Sequence, residues 1–244
     1  ILWMESDRMG YFINTVTQKA FAIQQNVVQN EKRQGVDNQP YGHRDYVIDK
    51  NLFPPDHPYS WQVICEMEDL LNATAVDFKS FYKKFYGPNN ATLLLAGDFD
   101  PDSAKALISK YFGEIGKRGE VSPRPAMNVT LDTTRRIYHE DNFANMAEIT
   151  MVWPVVEQYH KDAYALTYLA KILSEGKKAP LYKVLIKERQ LTSEITSYND
   201  TYELAGKFLI SMKANEGHSL DELEKGVYEG FDRFEKDGMT KQDV

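Results

Sequence analysis

The chain has 244 residues, a net charge of −7, and 42% apolar and 27% charged residues. This composition is typical of a folded globular protein and excludes disordered, collagen-like and coiled-coil chains. The acidic balance provides no basic surface for nucleic acid, and the longest apolar runs fall far short of the roughly 18 residues of a membrane-spanning helix. The single cysteine, Cys65, excludes an internal disulfide and a thiolate zinc cluster.

Both ends of the sequence indicate a piece of a longer polypeptide. The chain opens with an apolar run at Ile1, without an initiator methionine or the basic region of a signal peptide. Near the other end, Gly238 stops a helix, and Thr240 and Asp243 have the T-x-x-D spacing of a capping box. We therefore expect functional motifs outside these 244 residues.

The first half is predicted to be mostly helical. Apolar spacing predicts an amphipathic helix over 18–34, followed by a Pro- and Gly-rich ordered excursion over 35–60. Helix caps predict helices over 74–86 and 100–112. Between them, the Leu-rich run 91–97 predicts a buried strand.

The second half mixes strands and helices. Residues 116–130 are predicted to link two domains, one over 1–115 and the other over 131–244. Both halves mix the two element types, and in the second half the short connections between strands, with helices in separate runs, favour an α+β fold; we expect both domains to be incomplete in this chain. The predicted strands cover 135–138, 144–153, 194–198 and 207–212, and the predicted helices cover 161–174, 181–189 and 219–236.

Glu31 is the most informative polar residue, because helical spacing places it on the apolar arc of the helix over 18–34. A carboxylate turned inward needs a cation, a metal ion or hydrogen-bond donors. One interpretation is a buried ion pair with Arg8 or Arg33, and the other is a metal ligand. Gln24, two turns earlier, could hydrogen-bond beside it or lie at the edge of the core.

The histidines do not complete a metal site in this sequence. None of the five forms an H-x-x-x-H or H-x-x-E-H pair, which would place two imidazoles on one helical face. His43 and His57 lie in the Pro-rich excursion and are interpreted as ordinary hydrogen-bonding residues that could instead line a cleft. His139 is expected on the surface after a strand.

Several longer runs resemble the insulinase/pitrilysin family of zinc metallopeptidases. The resemblance is specific up to Gly113 and looser afterwards, where Ala179-Pro180 stands in place of the family's frequent Ser-Arg before Leu-Tyr. It extends over essentially all of the chain. The matching runs are 2–10, 26–34, 37–42, His57-Pro58-Tyr59-Ser60, 85–92, 96–100, 110–113, 181–182 and 188–191.

The resemblance implies a zinc ion held by two histidines of an H-x-x-E-H helix and by one distal glutamate. Glu31 matches that glutamate, and the H-x-x-E-H helix would precede Ile1. Gln24 stands where the family often has an acid, seven residues before the ligand. The implied chemistry is peptide hydrolysis by zinc-bound water, with the motif's glutamate moving the protons.

The resemblance also implies the partners. Peptide substrates would add as a strand to a sheet edge inside a clamshell made with a second peptidase-family half. The residues leave the compartment open, and the resemblance favours a bacterial periplasm or cell envelope. We expect the chain alone to be inactive, since one carboxylate makes too few bonds to zinc. The alternatives are a non-catalytic partner or scaffold half and a peptide-binding module.

Overall fold

The computed structural model describes residues 1–238 of the chain. Thr240 and Asp243, which predict the start of a further helix, lie outside the described residues. The chain divides into two compact units. The first unit contains residues 1–36 and 62–123, and the second contains 37–61 and the chain from Arg124 onward. The division at Pro123 falls inside the predicted linker 116–130, and the assignment of 1–115 and 131–244 to two domains stays a prediction.

Within residues 1–238, helices greatly outnumber strands, and the predicted α+β class is confirmed. None of these helices combines the length and apolar character that crossing a bilayer requires. The α-helices are α1 (Leu2–Gly10), α2 (Gln18–Lys32), α3 (Arg44–Leu52), α4 (Met67–Asn72), α5 (Ala75–Phe85), α6 (Pro101–Phe112), α7 (Lys161–Ser174) and α8 (Leu220–Asp237). The strands are β1 (Glu148–Val155), β2 (Ile195–Thr201) and β3 (Gly206–Lys213).

The predicted helix starts coincide with the capping residues. The side chain of Thr74 accepts the N–H of Asp77, whose carboxylate accepts the N–H of Thr74, so a reciprocal capping box opens α5. Asp100 caps α6 through the N–H of Ser103, with Pro101 in the first turn. These side chains satisfy backbone N–H groups that have no partner within the helix.

The second unit is built on an antiparallel sheet with the strand order β1-β3-β2. In this register Trp153 of β1 and Asn199 of β2 both lie opposite Phe208 of β3. Alternate residues of β3 point to one face, where Phe208, Ile210 and Met212 join the main core. The helical residues buried in that core are Ala170, Leu173, Leu181, Leu185, Leu223 and Val227.

Residues 37–61, here called the strap, belong to the second unit. Leu52 and Phe53 at the end of α3 form a smaller cluster with Ala205. The backbone N–H of Leu204 donates to the hydroxyl of Tyr59 over 3.0 Å. The predicted irregular excursion is therefore ordered by apolar and hydrogen-bonding contacts with the turn that precedes β3.

Two predicted strands are wrong. Residues 91–96 have no regular secondary structure and are mostly exposed, because no strand pairs with them within the described residues. Residues 135–138 are also irregular. Their arginines hold the segment instead: Arg135 donates to the Asn51 carbonyl over 2.7 Å, and Arg136 makes a two-pronged ion pair with Glu224 at 2.7 and 2.8 Å.

Two shorter helical pieces differ from regular α-helices. Helix α2 continues into a π-helical turn at Arg33–Asp37, and the helix predicted over 181–189 is a π-helix at Tyr182–Glu188. The second piece packs on α8, where a Cβ added at Gly226 would lie 2.5 Å from Leu185 Cδ2. The absence of a side chain at Gly226 therefore permits this close packing.

Candidate functional site

Helix α2 carries the residues that the sequence singled out. The helix begins where the Thr17 hydroxyl accepts the N–H of Ala20 over 3.2 Å, and it ends at Lys32. Glu31 thus lies in its last turn, directly before the π-helical turn that leads into the strap. Gln24 lies two turns earlier on the same helix.

One face of α2 packs inside the first unit through aromatic and amide contacts. Phe21 lies 6.3 Å from Phe78 between ring centroids. The Gln25 side-chain amide donates to the carbonyls of Leu70 and Ala73 over 2.6 and 3.0 Å. Those carbonyls lie at the end of α4, where helix geometry leaves C=O groups unpaired. The packed face is therefore fixed partly by a polar side chain.

The other face of α2 is exposed, and the prediction that Glu31 points inward is wrong. Ile23 is 56% exposed and Val27 is 39% exposed, and both Gln24 and Glu31 are exposed as well. Only part of the predicted apolar arc is covered: Phe21 and Val28 are partly buried, and the most buried residues of α2 are Gln29 and Lys32. Within residues 1–238, the candidate ligand thus lies on an open surface with apolar neighbours at helical spacing.

The arginine alternative for Glu31 is also wrong as a buried pair. Arg8 forms an ion pair with Glu5 in its own helix. Arg33 donates to the side-chain oxygen of Asn30 over 3.0 Å and approaches that of Gln29 at 3.5 Å. Neither arginine makes a described ion pair with Glu31, whose side chain is in any case exposed.

The described residues do not by themselves form a zinc site. Across residues 1–238, no group of three His, Cys, Asp or Glu side chains is placed to hold a metal ion. Zinc in proteins takes at least three protein ligands, so Glu31 alone does not satisfy the coordination that zinc requires. A complete centre would need donors from beyond the described part of the chain.

The histidines of the strap have structural partners. His57 is 2% exposed, its Nδ1 accepts the N–H of Tyr59 over 3.0 Å, and its Nε2 lies 3.0 Å from the Met127 carbonyl oxygen. Because Nδ1 is an acceptor, the bond to Met127 requires the proton on Nε2. His57 is thus an ordinary hydrogen-bonding residue, as predicted. His43 Nε2 lies 3.7 Å from Asp37 Oδ1 at a partly exposed position.

The strap carries a partly buried ion pair that the sequence did not reveal. Lys207 Nζ on β3 donates to Asp49 Oδ1 on α3 over 2.6 Å, and both side chains are largely covered. Burial raises the pKa of the Asp49 carboxyl from its ordinary value, and the hydrogen bond from Lys207 opposes that rise. The only sequence signal was a lysine at the start of an otherwise apolar strand pattern.

The sheet presents polar groups near one of its edges. Strand β2 is an edge strand in the described part of the chain. The Asn199 amide donates to the Ala163 carbonyl on α7 over 3.0 Å. Asn199 Oδ1 and Ser197 Oγ are buried atoms for which residues 1–238 provide no hydrogen-bond partner. An edge strand of this kind can pair with another extended chain.

Comparison with known proteins identifies the family. A family model described as "Peptidase M16 inactive domain" matches residues 72–244. The zinc protease PqqE of Helicobacter pylori is 28% identical over 227 residues, which cover 92% of this chain and 51% of that protein. The chain thus spans about half the length of this relative.

Solved structures of proteases also resemble this chain, which again covers only part of each. A protease from Helicobacter pylori superposes with a TM-score of 0.83 and 26% identity, covering 98% of this chain and 59% of that one. The first half of the periplasmic protease PqqL from Escherichia coli shares the fold, with a TM-score of 0.65 and 15% identity over 98% of this chain and 53% of that one. The resemblance to the insulinase/pitrilysin peptidases is confirmed, and the chain belongs to the M16 peptidase family, in which its larger part matches the inactive domain.

Proposed function

We propose that the chain is a catalytically incomplete part of a zinc-dependent endopeptidase or oligopeptidase that hydrolyses peptides in a clamshell chamber. The observation that carries the proposal is the match of residues 72–244 to the inactive domain of M16 peptidases, in a chain that is 28% identical to a zinc protease. The match to an inactive domain and the half-length coverage of the relative both support the assignment of catalysis to another part of the polypeptide. Zinc and the peptide-cleaving groups then come from the polypeptide that completes this one.

Glu31 is proposed as the one zinc ligand that this chain contributes. Its exposed position in the last turn of α2 leaves the carboxylate accessible to donors outside the described residues. Gln24 is proposed to hydrogen-bond beside it, without the charge that an acid would add. Residues 1–115 and 131–244 are accordingly proposed as parts of two peptidase-family domains.

Extended peptides are the proposed substrates, and a second peptidase-family half is the proposed partner. The edge strand β2 supports peptide binding, since an added strand gains main-chain hydrogen bonds there. Solved relatives that are about twice as long support the second half. The periplasm or cell envelope is the proposed compartment, supported by the periplasmic origin of one structural neighbour.

Zinc content and peptidase activity test the proposal together. Both are measured for the 244-residue chain and for the full-length gene product, with and without Glu31→Gln. We expect the chain to be inactive with less than one bound zinc ion, and the full-length protein to cleave unfolded peptides. Glu31→Gln should lower both zinc content and activity, while Glu120→Gln, at an exposed glutamate of the linker, should change neither.

A non-catalytic partner or scaffold half is the second candidate. The inactive-domain match and the departures at Gln24 and Ala179-Pro180 favour it. In that case the full-length protein binds unfolded peptides without cleaving them at saturating zinc. Full zinc content in the Glu31→Gln variant would contradict the ligand assignment in either case.

A further inference from the structure

A short stretch of the second unit carries a concentration of positive charge. Residues 176–189, here called the basic segment, contain four lysines and one arginine against one glutamate, in a chain whose net charge is −7. All four lysines are exposed. The basic segment thus differs in sign from the chain as a whole. Its lysines are Lys177, Lys178, Lys183 and Lys187.

The acids next to the basic segment are already paired with other residues. Arg233 on α8 forms ion pairs with Glu188 at 2.7 Å and with Glu229 at 2.6 Å. Glu175, directly before the segment, lies 3.7 Å from Lys171. Within residues 1–238, the four lysines make no ion pair with these acids. The local positive charge is therefore not neutralised by its surroundings in the described part of the chain.

The backbone that carries two of the lysines is fixed by the core. Lys183 and Lys187 lie in the π-helix Tyr182–Glu188, and between them Val184 and Leu185 are completely inaccessible. Residues four apart are neighbours on a helix surface, where like charges repel and destabilise the helix slightly. A bound anion would relieve that repulsion. π-Helical turns are uncommon and occur frequently at functional sites.

We propose that the four lysines of the basic segment form a docking surface for acidic segments of extended peptides. The inference rests on the proposed function in one respect, since peptides are the substrates proposed there, and it adds the charge of the peptide as a determinant of binding. A lysine ammonium group is a flexible point charge with three donors. The surface should therefore select glutamate and aspartate side chains without requiring one exact sequence.

The size of the basic segment favours a short acidic peptide over a larger polyanion. A membrane or a nucleic acid presents negative charges over an area much wider than this segment, and would also face the acidic remainder of the chain. A few carboxylates instead interact with the lysines alone, because salt screens charges beyond about 8 Å. The side chains are already exposed, so no rearrangement of the core precedes binding.

Fluorescence anisotropy of the full-length gene product tests the proposal. A labelled, unstructured peptide rich in glutamate is compared with the same peptide in which glutamine replaces every glutamate, and binding is recorded before cleavage proceeds. We expect the acidic peptide to bind roughly tenfold more tightly at about 20 mM salt, and the difference to fall below about twofold at about 500 mM salt. Equal affinities at low salt would overturn the proposal.

Two quadruple variants separate the basic segment from the net charge of the protein. Replacing its four lysines by glutamine should abolish the preference without changing thermal melting, because all four are exposed. The control removes the same number of charges from exposed lysines of the first unit and should keep the preference. Loss of the preference in both variants would overturn the proposal. The control substitutions are Lys19→Gln, Lys83→Gln, Lys84→Gln and Lys105→Gln.

A smaller change provides a second check that leaves the π-helix intact. Lys177→Gln with Lys178→Gln alters only the turn before the helix and should reduce the preference for the acidic peptide by about threefold. An unchanged preference in this double variant would contradict the assignment of those two lysines to the docking surface.

Parallel measurements distinguish this inference from the proposed function and from another ligand. A preference for the acidic peptide without any cleavage would uphold the docking surface and contradict the peptidase role. Cleavage with equal affinity for the two peptides would overturn the docking surface and leave the peptidase role standing. Vesicles of phosphatidylglycerol and phosphatidylcholine in equal parts are the third probe. Vesicle binding that requires the four lysines, with no preference between the peptides, would overturn the proposal in favour of a membrane surface.

Discussion

The two units bury their apolar residues to very different extents. In the second unit, helices and strands share one core in which Leu181, Leu185 and Ile210 are completely inaccessible. In the first unit, the buried apolar residues within the described part are Ile13, Tyr82 and Ala104. The second unit therefore has a self-sufficient core, whereas the first has helices with little to pack against.

In the first unit, side-chain hydrogen bonds to the ends of helices hold the helices together in addition to its few buried apolar residues. The Arg118 guanidinium donates to the carbonyls of Gly10 and Tyr86 over 2.8 and 3.1 Å. The Tyr82 hydroxyl donates to the Arg8 carbonyl. Each such bond contributes only about 1 kcal/mol net, far less than a cluster of buried leucines. Substitutions should thus have larger effects in the second unit.

The largest expected effect is a cavity in the core of the second unit. Leu185→Ala should lower the free energy of unfolding by about 2–5 kcal/mol, because the side chain is fully buried. Leu107→Ala in α6 of the first unit, where the side chain is 43% exposed, should cost less than about 1 kcal/mol. Urea unfolding of the second unit is followed through Trp153 in a Trp3→Phe and Trp61→Phe background, and that of the first unit through urea-dependent hydrogen exchange of α5 and α6. Equal losses would contradict the contrast between the units.

The ion pair between the strap and the sheet should have the next largest effect. Asp49→Ala leaves Lys207 without its partner and should cost about 2 kcal/mol, below the roughly 3–5 kcal/mol of a fully buried pair. The double variant Asp49→Leu, Lys207→Met removes both charges and should recover part of that loss. The same unfolding measurement applies. A double variant less stable than Asp49→Ala would contradict this account of the pair.

A helix cap provides a smaller effect within the first unit. Thr74→Ala removes the capping box of α5 and should cost about 1 kcal/mol. Faster hydrogen exchange at the start of α5 would report the loss. Thr92→Ala, at an exposed threonine of the irregular segment 91–96, is the control and should leave that exchange unchanged.

The smallest expected effect is a pH dependence shared by both units. Hydrogen bonds from Thr74 lower the pKa of Asp77, and those from Ser219 lower the pKa of Glu222. The stability that each carboxylate gives is present above its ordinary pKa of about 4 and is lost as the pH falls through the lowered value. Acid should loosen α5 before α8, because α8 is also held by the core. The circular dichroism of the unsubstituted chain and of Asp77→Asn is followed as the pH is lowered. Loss of both helices in one simultaneous transition would contradict the predicted order.

The sequence predicted helices better than strands, for a physical reason. The starts of α5 and α6 depend on side chains such as Thr74 and Asp100, which bond the backbone of their own helix. A strand depends on a partner that is often distant in sequence. Residues 91–96 and 135–138 therefore had the composition of strands without forming any in the described chain.

Sequence patterns also predicted the candidate site only in part. Periodicity located Glu31 on the apolar side of α2, but it could not show which side the first unit covers. That side includes Gln25, whose amide donates to carbonyls about 45 residues away. The pair of Asp49 and Lys207 joins positions 158 residues apart and has no local signal. The metal role of Glu31 remains a proposal that depends on donors outside residues 1–238.

Amide exchange of the 244-residue chain tests the contrast between the units most directly. The account predicts that β3, between its two neighbours, exchanges slowest, and that residues 91–96 and the exposed side of the first unit exchange within the earliest time points. Protection of residues 91–96 as strong as that of β3 in the monomeric chain would show that the first unit is already complete, and would contradict the account.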